Sequence, residues 1–252
     1  MGDIRFMSVP LVSVIMTAYN CEKYIEESIE SIFIQTFRDF EFIIYHDGST
    51  DKTWQNALAT ITKRGKAFMG CVKMLPSHKN VGCGEGRNRA IKRARGKYIA
   101  IQDADDISFQ TRLAKEVEFM EKNEDIFCVG AFADKMEEDG KFIELMTYPL
   151  KTHEEIHNDI LVKQHNNIID PSCMYRKEDF DRLGGYDGQW KLVPDFNLWV
   201  RAAQAGLKFA NLQEVLVHYR QHPNSITNKS RKAVDREHFK MCRELFNENK
   251  GF

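Results

Sequence analysis

What most constrains this chain is a repeated change of period in its first half. Short apolar runs rich in β-branched and aromatic residues alternate with segments whose apolar residues recur at helical spacing. Val12–Ile15 is such a run, and Glu22–Gln35 follows with Ile25, Ile29, Ile32 and Phe33 on one helical face. Phe40–Tyr45 is a second run; Lys52–Lys63 then carries Trp54, Ala57, Leu58 and Ile61 at i, i+3, i+4 and i+7. Val72–Leu75, a helix over Gly86–Arg95 closed by Gly96, the run Tyr98–Ile101 and a helix over Thr111–Lys122 continue the pattern. Apolar strands joined by helical crossovers predict a mostly parallel α/β sheet with helices on both faces.

After about residue 125 the rhythm changes. Strand-like runs stand at Phe127–Ala131 and Phe142–Leu145, and Thr152 with Glu155 forms a capping box for a helix to about Val162. Gly184-Gly185 marks a turn, and a helix from about Asp195 to Ala205 carries Phe196, Trp199, Val200 and Ala203 as its apolar stripe, stopped by Gly206. Val215–Tyr219 reads as a strand and Lys232–Asn247 as a terminal helix. With no repeat, low-complexity tract or linker, one continuous domain is expected.

Lys plus Arg total 36 against 37 Asp plus Glu, so no global basic field selects nucleic acid as the partner. Lys92-Arg93-Ala94-Arg95 reads as a solvated helix face. The six cysteines are scattered without a CxxC pair, the pattern of reduced thiols in a cytoplasmic protein. No signal-peptide pattern or membrane-length apolar run stands out, and Phe6 replaces the Ser or Thr that myristoylation at Gly2 would want. Peripheral association with the cytoplasmic membrane face is left open.

In open parallel sheets, ligands bind beyond the carboxyl ends of the strands. Here those ends read Thr17-Ala18-Tyr19-Asn20, His46-Asp47-Gly48-Ser49-Thr50-Asp51 and Asp103-Ala104-Asp105-Asp106. Each alone reads equally as a turn or a helix cap. Together they place several carboxylates on one rim, a costly arrangement unless a ligand or cation uses them, and Mg²⁺ or Mn²⁺ suits such oxygen donors.

In this the chain resembles the family 2 glycosyltransferases, which have the GT-A fold. The resemblance rests on Val12–Asn20, Asp47–Asp51, Gly86-Arg87-Asn88, Asp103–Asp106, Gly184–Asp187, Pro194-Asp195 and Tyr219–His222, in the family's order over roughly residues 11 to 228. It implies an inverting enzyme that moves a sugar from a nucleoside-diphosphate sugar, expected to be a UDP-sugar, to a hydroxyl on a glycan, lipid-linked or protein acceptor in glycan or polysaccharide synthesis. It divides the chain into a nucleotide-binding half (1–106), an acceptor-side half (107–228) and a terminal helix (229–252).

Residue roles follow by position. Thr17, Tyr19 and Asp47 would hold the nucleoside, and Arg87 would help fix the nucleotide. Asp103 would lie near ribose and metal, Asp105 would ligate the divalent ion, and Asp106 would orient that cluster or meet the donor sugar. Asp195 would be the general base. His222 is read either as a group near the metal or diphosphate or as a turn histidine before Pro223. Two departures stand out: His46 where a first Asp is usual, and Pro194 and Asn197 where acidic residues are common around Asp195.

Competing readings are fewer. His153-Glu154-Glu155-Ile156-His157 matches the zinc-peptidase pattern HExxH, with Glu178 as a conceivable third ligand, yet His153 opens a capped helix and the reading leaves the acidic strand ends unused. A sugar-phosphate nucleotidyltransferase wants a Gly- and Lys-rich loop after the first strand, which Thr17–Lys23 lacks. A catalytically silent binding module of the same fold is the remaining class. Gly82-Cys83-Gly84-Glu85-Gly86 reads as a flexible turn near the donor, and Phe132–Gln189 as the segment that sets donor and acceptor.

Overall fold

The first strand, β1 (Val12–Ala18), is buried at every position except Thr17, which is half-buried, and its side chains alternate between two cores. Val12, Val14 and Met16 point to one side, Ile15 to the other. A strand without a polar face can only sit inside a covered sheet. The computed structural model describes residues 9–147, 151–225, 228 and 230–247. Gly2, Phe6, residue 229 and residues 248–252 lie outside the described residues.

β1 pairs in parallel with β2 (Phe40–Asp47) and β4 (Tyr98–Ile101), and β2 with β3 (Val72–Ser77). Beyond β4 the sheet turns mixed. β8 (Met174–Arg176) runs antiparallel to β4 and to β6 (Ile126–Met136), and β6 runs parallel to β9 (Lys208–Arg220). The order is β3-β2-β1-β4-β8-β6-β9-β5, where β5 is Ile107–Ser108, and β7 (Phe142–Met146) flanks β6.

Helices cover both faces. On one, α1 (Ile25–Phe33), α2 (Thr53–Lys63) and α5 (Arg112–Lys122) bury Ile25, Ile29, Ile32, Ala57, Ile61, Leu113 and Met120 against the sheet. On the other, α4 (Cys83–Ile91), α6 (His153–Asn158) and α8 (Pro194–Gln204) do so, α8 through Phe196, Trp199, Val200 and Ala203. The terminal helix α9 (Arg231–Asn247) joins this second layer through Met241 and Cys242. A short α3 (Lys66–Met69) follows α2, and α7 (Lys177–Arg182) follows β8. Thr152 caps α6 in the expected capping box, and a π-turn, Asp159–Lys163, continues it. No helix among the described residues is long and apolar enough to cross a membrane, and all six cysteines are free.

The expected helix over Gly86–Arg95 is corrected at both ends. Helix α4 begins at Cys83, not at Gly86, so the glycine-rich stretch is the helix's first turn and not a flexible loop. The glycines serve close packing. A Cβ on Gly84 would lie 2.9 Å from Pro194 Cβ, and one on Gly86 2.7 Å from Thr17 Cγ2. The helix also ends early, at Ile91, so Lys92–Arg95 lies in the turn that follows, where Arg95 N–H donates to buried Glu41 at 2.7 Å.

Candidate active site

The carboxyl ends of β1, β2 and β4 open onto a cleft of about 920 Å³. Thr17, Tyr19, Asp47, Asp103, Asp105 and His222 all line it. The loop after β1 is laced to the loop after β2. Asn20, held at φ +48, accepts the Thr50 N–H at 2.9 Å, and Asp51 accepts the Glu22 N–H at 3.1 Å. Asp47 is buried, and its two oxygens accept the Val81 and Gly82 N–H groups at 2.8 and 3.0 Å. Burial pushes its carboxyl upward while those amides pull it down. Tyr19 stands 47% exposed at the mouth, presenting an open ring, and Thr17 Oγ1 is buried without a hydrogen-bond partner among the described residues. His46 Nε2 accepts the Ser49 N–H at 3.2 Å, so this residue braces the turn.

The acidic loop after β4 gathers Asp103, Asp105 and Asp106, with one ligand atom of each within 4.8 Å of the others. Burial raises Asp103 and Asp106 above the ordinary carboxylate range, and mutual repulsion with Asp105 adds to it. Asp106 is 1% exposed; its Oδ1 accepts the Arg220 N–H at 2.8 Å, while Oδ2 is buried and unpartnered among the described residues. A set of oxygen donors without sulfur, one of them orphaned, fits a hard divalent cation. His222 Nε2 lies 2.9 Å from Asp105 Oδ2, and its Nδ1 is buried without a partner among the described residues.

Two more expected site residues, like Asp106, stand behind this surface. The Arg87 guanidinium is buried between Asp103 at 2.8 Å and Asp170 at 2.6 Å, so its charge reaches the cleft through Asp103. Asp195, in the first turn of α8, does not line the cleft. It is half-buried, accepts from Asn166 Nδ2 at 2.9 Å, and lies near enough to Asp103, Asp170 and Cys83 to raise all three electrostatically. Burial is the largest cause of the rise at Asp170, whose carboxyl is pushed up to about 7.

The profile of glycosyl transferase family 2 matches residues 13–184. The chain belongs to glycosyl transferase family 2. It is 35% identical over 226 residues to an uncharacterized glycosyltransferase of Methanocaldococcus jannaschii, covering 85% of this chain and 72% of that one. It is 29% identical to the Escherichia coli UDP-Glc:alpha-D-GlcNAc-diphosphoundecaprenol beta-1,3-glucosyltransferase WfaP, covering 90% and 84%. The solved mannosyltransferase PcManGT of Pyrobaculum calidifontis, in complex with GDP-Man and Mn²⁺, superposes with a TM-score of 0.70 at 18% identity. That match covers 93% of this chain and 64% of the solved one, so the family 2 chain spans less than two thirds of that structure. The fold is the GT-A fold that the sequence resemblance implies.

Family membership leaves the peptidase pattern without a role. His153 Nδ1 accepts the Phe209 N–H at 3.4 Å, His157 Nε2 lies 3.3 Å from the Ala203 carbonyl, and Glu178 pairs with Arg182. These histidines fasten α6 to β9 and α8, and among the described residues neither joins a grouping of three metal-ligand side chains.

Sequence reasoning missed Asn166 and Asp170, and it quoted Arg220 without a role. Arg220 carried a signal, being a charged residue at the end of an apolar strand. Asn166 and Asp170 carried none, because Asn166 lies in a loop and Asp170 opens a single 3-10 turn, Asp170–Ser172, and their polar side chains look like those of any surface loop.

Proposed function

We propose that this glycosyltransferase moves a sugar from a nucleoside-diphosphate sugar, a UDP-sugar by preference, onto a hydroxyl acceptor with inversion at the anomeric carbon. The observation that carries the reading is the clustering of Asp103, Asp105 and Asp106 in one loop, together with the amide-bound Asp47 on the lining of the cleft that Asp103 and Asp105 also line. The first group suits a cation and a diphosphate, the second a base. The UDP-Glc in WfaP's name and the Mn²⁺ in complex with the Pyrobaculum mannosyltransferase support the choice of nucleotide and metal.

In this reading Tyr19 lies against the base and Asp47 accepts from a base N–H, while Thr17 Oγ1 finds in the nucleoside the partner it otherwise lacks. Asp105 and Asp103 would hold Mn²⁺ or Mg²⁺, with His222 either ligating it or bracing Asp105. The bound cation supplies Lewis-acid stabilisation of the negative charge that the diphosphate gains on leaving. Arg87 fixes Asp103 in place rather than touching the nucleotide, and Asp106 orients the loop from beneath. Asp195 takes the acceptor hydroxyl's proton as that oxygen attacks the anomeric carbon and the bond to the diphosphate oxygen breaks. Attack opposite the leaving group inverts the configuration, and one carboxylate suffices for proton transfer.

The lipid-diphosphate acceptor named for WfaP supports a lipid-linked glycan acceptor, met at the cytoplasmic membrane face in the synthesis of a surface polysaccharide. The test is UDP release from a panel of UDP-sugars with Mn²⁺. Asp195→Asn should lower kcat by about 100-fold or more with little change in donor KM, consistent with loss of a general base. Asp105→Ala should lose cation-dependent turnover. Undiminished turnover in both variants would refute the assignment.

A further inference from the structure

The segment 164–170 takes no part in the chemistry proposed above, yet it places a side chain directly on Asp195. The chain leaves the π-turn through Gln164, which is not glycine but holds φ +59, and this reversal aims the following residues back toward α8. The next two asparagines are sorted by their partners. Asn167 is 5% exposed; its side-chain amide donates to Asp159, and its carbonyl accepts from Asn211 Nδ2 at 3.0 Å. Asn166 is left facing α8, where its Nδ2 donates to Asp195 Oδ2 at 2.9 Å.

The orientation of that amide is fixed. Asn166 Oδ1 accepts the Ile168 N–H at 3.1 Å, so flipping the side chain would set N–H against N–H at one end and oxygen against oxygen at the other. A rotatable amide held in this way offers only its N–H to the carboxylate. With Oδ2 engaged, Oδ1 of Asp195 is the oxygen left to receive a proton.

We propose that Asn166 is a positioning residue for the transfer, orienting Asp195 through Oδ2 so that Oδ1 accepts the acceptor's proton; this rests on Asp195 being the general base. Among the described residues, the charged or titratable groups that feel Asp195 include Asp103 at the end of β4, Asp170 in the turn before β8, Cys83 in α4 and His238 in α9, with His165 acting on His238. Arg87 offsets Asp103 and Asp170. Against that largely acidic surrounding, the Asn166 amide is a neutral donor that holds one oxygen of the Asp195 carboxylate.

The experiment is the pH dependence of kcat and kcat/KM for UDP release, with Mn²⁺, from whichever of UDP-glucose and UDP-N-acetylglucosamine the protein turns over faster. Asn166→Ala should lower kcat by about 10- to 100-fold at unchanged donor KM and move the acid limb upward. Asn166→Asp keeps the acceptor for the Ile168 N–H but sets a second carboxylate against Asp195. It should move the acid limb up by about one pH unit or more and recover activity as pH rises. A role confined to holding the loop predicts instead a uniform loss at every pH in Asn166→Ala, with Asn166→Asp near wild type, and would overturn the inference. Carboxyl ¹³C NMR titration of Asp195, assigned with Asp195→Asn, gives the same answer without turnover: an unchanged midpoint in Asn166→Asp counts against it. If Asp195→Asn keeps full activity, the base assignment itself fails. If Asp195→Asn is inactive while both Asn166 variants keep the wild-type profile, only the positioning role fails.

Discussion

The backbone N–H of Arg220 donates to Asp106 Oδ1 at 2.8 Å, tying the end of β9 to the acidic loop after β4. The Arg220 side chain extends the tie, its Nε donating to the Asp105 carbonyl at 2.9 Å and its Nη1 to the Glu138 carbonyl at 2.7 Å. Its Nη2 pairs with the Glu27 carboxylate at 2.5 Å. One residue thus sets the height and angle of the loop on which the proposed metal ligands stand.

Arg220→Met keeps the backbone bond and removes those of the side chain, leaving the Asp105 and Glu138 carbonyls without those donors. The cost should be about 1–3 kcal/mol of stability, two lost hydrogen bonds at roughly 0.5–1.5 kcal/mol each. Mn²⁺-dependent UDP affinity should fall at least about tenfold as the loop loosens. Denaturant unfolding and calorimetric titration check the two halves. A variant that loses stability but binds UDP with Mn²⁺ as tightly as wild type would show that the loop does not depend on this clamp.

The acidic cleft should make the metal-free protein less stable as pH rises. Asp103, Asp106 and Asp170 are all held above their ordinary range, Asp170 to about 7, chiefly by burial. A carboxyl whose folded pKa exceeds its unfolded value contributes stability that is full below the unfolded pKa and is lost as pH passes the folded one. For Asp170 alone the loss between about pH 6 and pH 8 is on the order of 1 kcal/mol, or about 2–4 °C in Tm for a chain of this size. Mn²⁺ should reverse the loss at the upper end, so its Tm increment should be larger at pH 8 than at pH 6. A Tm that rises over this window without metal would contradict the burial argument.

Gly48 should be intolerant of a side chain. Its φ is +71, and an added Cβ would sit 2.8 Å from the Asn80 backbone nitrogen. That backbone leads into Val81 and Gly82, whose amides hold Asp47. Gly48→Ala should therefore cost about 1–3 kcal/mol through strain and overpacking. Nucleotide affinity should fall with it. Thermal unfolding and UDP titration of the variant measure both, and wild-type affinity would mean that the base end does not rely on this turn.

The first four strands and the helices α1, α2 and α5 were legible because apolar runs and stripes define them and bury most of them, although β3 is only half-buried and Leu58 of the expected α2 stripe is 47% exposed. Val12, Val14 and Met16 against Ile15 show it most clearly. Helix α4 began earlier than expected because Gly84 and Gly86 carry a local signal for a turn, which the close approach of Pro194 and Thr17 overrides. β8 is only Met174–Arg176, too short for a period, and exists because β4 and β6 each bond it from one side. Of the site, the strand-end carboxylates could be placed from topology alone. Asp170 could not, since Arg87, the cation that pairs with its carboxylate, is distant in sequence. Nor could the burial of Asp106 or the withdrawal of Asp195 from the cleft wall be read, because depth is a property of packing and not of order along the chain.

The central claim is that Asp47 and Asp105 stand at the two ends of one binding site, spanned by a nucleoside diphosphate and a divalent cation. Calorimetric titration of UDP with and without Mn²⁺, in wild type and Asp105→Ala, tests it most directly. The account predicts that Mn²⁺ tightens UDP binding at least about tenfold in wild type, a coupling of about 1.4 kcal/mol, and has no effect in Asp105→Ala. Equal UDP affinity with and without Mn²⁺ in wild type, or full coupling retained in Asp105→Ala, would contradict it.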